Sequence, residues 1–306
     1  MAKKDYDFVA KKNFFLIVPC VILVSALAVF AFFGLEIAIE FKGGTLMTYT
    51  YSGELELQEV EAFVGTFEQS GVRVSRGTDI RGGVETFVVS FATSDGISTE
   101  VQDEITAQLT ARFPENDIVK LSGQNVSPST GGSFFLKCLV AVLFSFVLLL
   151  LYIGVRFKKI GGLSAGAFTI FALLVDVMVV FSTFIFFRLP IDANFMAVVL
   201  TILAYSINNT IVIYDRIREN RTIYGKKLNF KALANKSINQ SLTRAINTTL
   251  TTVMALIVIC VVAVLMGVPS IITFAFPMLM GLISGVFTTL CLTATLWACW
   301  KERKTA

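Results

Sequence analysis

Six apolar stretches, each about 20 residues or longer, govern what this 306-residue chain can become. They lie at about residues 14–33, 134–155, 163–187, 192–214, 245–267 and 271–298. A bilayer's hydrocarbon core is about 30 Å thick, and a helix rising about 1.5 Å per residue needs about 20 residues to cross it. Lipid offers no partner to backbone N–H and C=O groups, so each stretch must close its own hydrogen bonds as a helix. Charged residues make up 16 % of the chain and fall mostly between these stretches. The expected fold class is a membrane-embedded, all-α bundle of six helices. The first apolar run is too long for a secretory leader, and no small-residue cleavage site follows it. It therefore reads as a permanent span.

Residues 34–132 are polar and hold no run long enough to cross. The chain thus divides into a terminus with the first span (1–33), a polar domain (34–132), five further spans (133–300) and a short tail (301–306). Orientation follows from the short loops. Arg156, Lys158 and Lys159 separate spans two and three. Arg216, Arg218, Arg221, Lys226, Lys227, Lys231, Lys236 and Arg244 follow span four, and Lys301, Arg303 and Lys304 close the chain. With Lys3, Lys4, Lys11 and Lys12 they all fall on one side of a six-span chain, while Arg188 with Asp192 and the segment from Gly267 to Ser270 fall on the other. The positive-inside rule predicts a multi-pass membrane protein with both termini cytoplasmic and the 34–132 domain outside. That domain holds fifteen acids against six bases.

The outer domain reads strand, helix, strand, strand, helix, strand. Thr45 to Tyr51 is rich in β-formers, and Leu57, Val60, Phe63, Val64 and Phe67 repeat at helical spacing. Gly71 ends that helix, Val72-Arg73-Val74 alternates, Gly82-Gly83 turns the chain, and Glu85 to Phe91 forms the next strand. Ser98 opens a helix carrying Ile105, Leu109 and Phe113, and Ile118 to Val126 is the last strand. This order suits a ferredoxin-like α+β sandwich.

Composition excludes several functions. A net charge of +4 gives little hold on nucleic acid, and the chain has no His. All five cysteines lie in apolar stretches, where they read as small hydrophobes and not as disulfides or metal ligands. No nucleophile–base pair or phosphate-binding loop is present, so neither an enzyme nor a cofactor is expected. The informative residues are the polar ones inside the spans, which are costly there and usually face the bundle interior. Asp176 sits in the middle of span three. Span four carries Ser206, Asn208, Asn209 and Thr210, with Asp215 at its cytoplasmic end beside Arg216. Ser206, Asn209 and Thr210 are spaced to share one helix face, as are Arg244, Asn247, Thr248 and Thr251 of span five. Hydroxyls and amides inside spans also serve as interhelical glue, worth about 0.6–2 kcal/mol each, and Thr249 and Thr252 read that way. In span six, Gly281, Ser284 and Gly285 form a small-residue face suited to close helix packing.

Four segments carry a resemblance. They are Tyr6-Asp7-Phe8-Val9; the turn Phe41-Lys42-Gly43-Gly44-Thr45, preceded by Glu40; the run from Ala204 to Asn220, with Ser206-Ile207-Asn208-Asn209-Thr210 and Tyr214-Asp215-Arg216 in it; and the run from Ser241 to Thr252, with Arg244, Asn247, Thr248 and Thr251. In order and position they resemble the SecF family, the smaller partner of the SecD–SecF protein-export complex. The resemblance implies half of an RND-type transporter that pairs with a SecD-like chain and serves a SecY-type translocon. It further implies that the complex helps a preprotein across on the outer face, driven by the proton-motive force. The sequence departs from the family pattern at Asn209, where an acid is usual. It also departs at Ala204 (usually Gly), at Val175 (often His) and at Glu40, a conservative change. An amide carries no proton in this pH range. The coupling role then passes to Asp176, to the partner, or to a different ion; the carboxylate with Asn and Ser oxygens suits Na⁺ as an alternative to H⁺. A second reading is a stand-alone RND-like exporter of lipids or small molecules, and a third is a membrane scaffold with no transport role.

Overall fold

The computed structural model describes residues 6–67, 71–78, 85–92, 96–225, 227–266 and 268–305. The Gly82-Gly83 turn, Lys226 and Gly267 therefore lie outside the described residues. Six helices among them are long and apolar enough to cross a membrane. They are α1 (Lys12–Phe33), α5 (Pro128–Arg156), α6 (Gly162–Phe186), α7 (Ala193–Tyr224), α8 (Phe230–Leu265), and a composite sixth. That sixth span runs through α9 (Pro269–Phe287), a π-helical turn (Thr288–Thr293) and α10 (Ala294–Thr305). Spans α6 and α7 are the most enclosed, while α1, α5 and α8 present rows of Leu, Val, Ile and Phe outward, as lipid-facing helices must.

Helices α7 and α8 outrun their apolar stretches. α7 continues ten residues past Tyr214, and α8 begins fifteen residues before Ala245. Their basic extensions form a helical hairpin on the face that bears both termini. Asn220 Nδ2 donates to Ser237 Oγ and Gln240 Oε1, each at 2.8 Å. The N-terminal segment is strapped to this hairpin. Asn239 accepts from Tyr6 N–H at 3.0 Å and donates to Tyr6 C=O at 2.8 Å, and Asn235 accepts from Phe8 N–H at 2.9 Å.

Between α1 and α5 lies the domain that the loop charges predict to be outside, called the outer domain for that reason: β1 (Gly44–Tyr51), α3 (Leu57–Val64), β2 (Val72–Thr78), β3 (Glu85–Phe91), α4 (Thr99–Arg112) and β4 (Val119–Val126). The sheet order is β2-β3-β1-β4, every neighbouring pair antiparallel. One face of β1 and β3, with Met47, Tyr49, Tyr51, Phe87, Val89 and Phe91, packs against Val60 and Val64 of α3 and Ile105 and Leu109 of α4. Burial pushes the Tyr49 phenol up to about 12, although Thr106 Oγ1 lies 3.1 Å from it. Ser98 caps α4, accepting from Val101 N–H as its position before the helix requires.

Two joints tie this domain to the bundle. The first is the turn at residues 40–44. Here α2 (Ile39–Lys42) ends at Gly43 (φ 84°) and Gly44 (φ 144°). A Cβ on Gly44 would lie 2.1 Å from the Phe91 carbonyl oxygen, so only glycine lets β1 start there. Phe41 is buried between Phe134 and Phe135 of α5, at centroid distances of 5.6 and 5.5 Å. Just before it, Ile37 bridges Ile191 of the α6–α7 loop, and Glu36 pairs with Arg73 of β2 and Arg188 of that loop. The second joint is a single residue, Ser127, between β4 and α5.

Candidate functional site

Asp176 is wholly buried where α6, α7 and span six meet. Its Oδ1 accepts from Ser284 Oγ at 2.8 Å and Thr288 Oγ1 at 2.8 Å. Its Oδ2 accepts from Ser206 Oγ at 2.7 Å and Thr288 Oγ1 at 3.0 Å. A second rank of hydroxyls stands behind. Thr289 Oγ1 lies 3.4 Å from Ser206 Oγ and 3.5 Å from Thr210 Oγ1. The small residues of span six make this approach possible. A Cβ on Gly285 would sit 3.5 Å from Ser206 and 3.8 Å from Asp176 Oδ2, and one on Gly281 would lie 2.8 Å from both Ile202 and Val180. The π-turn begins at Thr288, the residue that bonds both carboxylate oxygens; such turns recur at functional sites.

The structure divides the span-four residues that share a face in sequence. Ser206 and Thr210 turn toward Asp176. Asn209, about 100° from Thr210 around the helix, turns instead toward α8. There it lines a small polar cleft of about 60 Å³ with Asn208, Ser241, Arg244 and Thr248. The Asn209 amide nitrogen is buried and has no hydrogen-bond partner among the described residues. Asn208 and the span-five stripe Arg244, Asn247, Thr248 and Thr251 are exposed on the outside of this chain, away from the carboxylate. Thr249 alone of its neighbourhood turns inward, accepting from Tyr205 Oη at 3.0 Å. Asp215 belongs to neither group: at the membrane edge it pairs with Arg218 at 2.8 Å and Arg156 at 3.3 Å. Asp215 and Thr249 apart, the polar residues singled out in spans three to five therefore fall into two places, a closed hydroxyl cage around Asp176 and an open seam on α7 and α8.

Sequence reasoning assigned Ser284 to packing alone and missed Thr288 and Thr289 as partners of the carboxylate. A signal was available, since Thr288 follows Ser284 by four and Gly281 by seven, on one helix face. Among the described residues, no cluster of His, Cys, Asp and Glu could hold a metal.

A six-span bundle with one large domain after the first span, a caged carboxylate and an outward polar seam defines a polytopic membrane protein. The family described as "Protein export membrane protein SecD/SecF, C-terminal" matches residues 105–303. The chain is 30 % identical over 304 residues to the protein translocase subunit SecF of Alicyclobacillus acidocaldarius, covering 98 % of this chain and 94 % of that one. It is 30 % identical to the protein translocase subunit SecDF of Bacillus subtilis, covering 98 % of this chain and 39 % of that one. Among solved structures it superposes on SecDF, a translocon-associated membrane protein from Thermus thermophilus, with a TM-score of 0.80 and 26 % identity, over 98 % of this chain and 39 % of that one. With SecDF in its super-membrane-facing form the TM-score is 0.70 at 26 % identity, and this chain spans 40 % of that one. The chain belongs to the SecD/SecF protein-export family, on its SecF side.

Proposed function

We propose that this chain works as the SecF-like half of a two-half protein translocase subunit in a bacterial inner membrane. In this reading it pairs with a SecD-like chain and serves a SecY-type translocon, drawing on an ion gradient to help a preprotein across on the outer face. The observation that carries the pairing is the open seam. Arg244, Asn247, Thr248 and Thr251 are exposed on a helix at membrane depth. Thr248 and Thr251 return their hydroxyls to their own helix backbone, but the Arg244 charge and the Asn247 amide have no side-chain hydrogen bond among the described residues, and hydrocarbon is a poor solvent for both: an unpaired amide costs about 2–7 kcal/mol there, and a charge costs more. A second half packed on α7 and α8 covers them. SecDF relatives, in which this chain accounts for about two fifths of the length, support such a partner.

The same reading makes Asp176 the ion-coupling carboxylate, with Ser206, Ser284 and Thr288 as the groups that sense its charge. The proton is the first candidate ion. Sodium is the second, because a carboxylate ringed by hydroxyl oxygens is a hard-oxygen site. The sheet order β2-β3-β1-β4, with helices after β1 and β3, supports a ferredoxin-like outer domain, and the loop charges support cytoplasmic termini. A stand-alone exporter is disfavoured, since the relatives are translocase subunits.

A cysteine in place of Asn247 or Thr251 tests the pairing in native membranes. A short thiol cross-linker should give an adduct that contains a SecD-like chain. Free reaction of both cysteines with a lipid-soluble maleimide, with no adduct to any protein, would overturn the assignment of this face.

A further inference from the structure

Helices α5 and α6 touch at one end and leave a crevice at the other. On the side of the termini their backbones meet. A Cβ on Gly162 would overlap the Gly154 carbonyl oxygen, and one on Gly166 would lie 2.8 Å from Leu150. Toward the outer domain a crevice of about 560 Å³ stands between the two helices, with α7 behind it. Leu139 and Val142 of α5, Val177 and Phe181 of α6, and Phe195 and Val199 of α7 line it. Phe41, held between Phe134 and Phe135, closes it at the outer-domain end. Beside Phe41 stands Lys42, which is exposed and is the one charged residue of the lining among the described residues.

The crevice has the depth of one leaflet. It runs along α5 from Gly132 to Val142, about 15 Å of helix, which is half of a hydrocarbon core of about 30 Å. Lys42 marks its headgroup end. Val142 and Val177, the latter next to Asp176 at mid-span, mark its floor. Leu139 and Met178 are 42 % and 46 % exposed along its mouth, so it opens sideways, where acyl chains run. Water has little to hold it there. A bound water takes about 2–4 polar partners, and below Lys42 the lining side chains are Leu, Ile, Val, Phe and Met. An acyl chain satisfies such walls, and a lipid phosphate at the headgroup level satisfies the ammonium above them.

We propose that this crevice holds one acyl chain of a phospholipid from the leaflet on the outer-domain side, with the lipid phosphate on Lys42. The site is separate from the Asp176 cage and from the open seam. The chain acts as a wedge that sets the spacing of the poorly enclosed α5 from α6 and α7, directly below the Phe41 joint to the outer domain.

Native mass spectrometry of the full chain tests it. The protein is held in a mild detergent, supplied with phosphatidylglycerol, and washed with lipid-free detergent. One lipid per chain should stay bound. Lys42→Gln should weaken that retention about fivefold, the share of one cation at a membrane surface, and Lys42→Arg should keep it. Lys42 is exposed, so neither change disturbs folding. Lys137→Gln, on α5 but outside the lining, should keep the lipid as well. Val142→Phe and Val199→Phe, made singly, fill the crevice from two sides, and each should lose the lipid. Added phosphatidylglycerol should raise the melting temperature of the parent and leave theirs unchanged. A parent chain that keeps no lipid, full retention by both filled variants, or unchanged retention in Lys42→Gln would overturn the proposal. So would an equal loss in Lys137→Gln, because Lys42 would then not be what places the phosphate.

Discussion

Replacing Asp176 by asparagine separates the charge of the buried site from its packing. Each carboxylate oxygen accepts two hydroxyl hydrogen bonds, Ser284 and Thr288 on Oδ1, Ser206 and Thr288 on Oδ2. An amide oxygen placed at Oδ1 keeps the first two. The amide NH₂ placed at Oδ2 donates to Ser206 Oγ, whose own hydrogen then turns toward Thr289 Oγ1, 3.4 Å away. The amide's second hydrogen faces Thr288 Oγ1, which still donates to Oδ1, so the variant reverses the two contacts at Oδ2 and orphans no group. Hydrogen bonds to a charge contribute about 1.5–3 kcal/mol and neutral ones about 0.5–1.5, but the variant also removes the cost of a buried charge. The two changes offset, and stability should move by about 1 kcal/mol or less. Asp176→Leu, in contrast, leaves the Ser206 and Ser284 hydroxyls without their acceptor, at about 1–3 kcal/mol for each group left unsatisfied. The assay is preprotein export into inverted vesicles carrying the chain with a SecD-like partner and translocon. It is run under a proton gradient, then with that gradient collapsed and a sodium gradient imposed. Asp176→Asn should assemble like the parent, yet export no faster with a gradient than without one. Full stimulation in the variant under both gradients would refute the reasoning and move the coupling group to the partner.

Four further outcomes are expected. Gly281→Leu should lower thermal stability in detergent by about 1–3 kcal/mol or more, because its Cβ alone already meets Ile202 and Val180 at 2.8 Å; an unchanged melting curve would show that the helices shift apart freely. Gly44→Ala should prevent the outer domain from folding, read as rapid proteolysis between α1 and α5, since the Phe91 carbonyl fills the space a methyl needs. Asn209→Asp should be tolerated, with export becoming more dependent on the proton gradient, because Asn209 faces the cleft with Ser241, Arg244 and Thr248 and not the Asp176 cage. In intact cells a cysteine at Gly96 should react with an impermeant thiol reagent and one at Lys159 should not; labelling at Lys159 would invert the topology.

The spans could be read from sequence because lipid imposes one demand, about 20 apolar residues, that each stretch meets by itself. The strand–helix order of the outer domain was equally local: Ser98 announces its helix, and Glu85 to Phe91 is a run of β-formers. What lay between helices was not. Ser206, Asn209 and Thr210 share a face on paper, but two neighbouring helices divide it, and which neighbour lies where is a property of the assembled bundle. Thr288 and Thr289 were overlooked because a hydroxyl in an apolar helix ordinarily bonds its own backbone and marks nothing. The ends of α7 and α8 were set short because hydropathy stops at the membrane surface, whereas backbone hydrogen bonding continues wherever a partner helix offers a face, as the Asn220 and Ser237 pair shows.

The single-residue joint between β4 and α5 has a mechanical consequence. A strand that runs into a helix with only Ser127 between has no slack, so the outer domain cannot swivel on that side without taking α5 along. α5 is in turn poorly placed to resist, since it shares with α1 the lowest enclosure of the six spans, 11 % of its apolar stretch. Its apolar run at residues 134–155 is about 33 Å long as a helix, long enough to cross a core of about 30 Å with some inclination. A thicker bilayer calls for less inclination. Through the stiff joint, that change of inclination becomes a swing of the whole outer domain of similar angle. The pose of the domain above the membrane is therefore set partly by the thickness of the lipid below it.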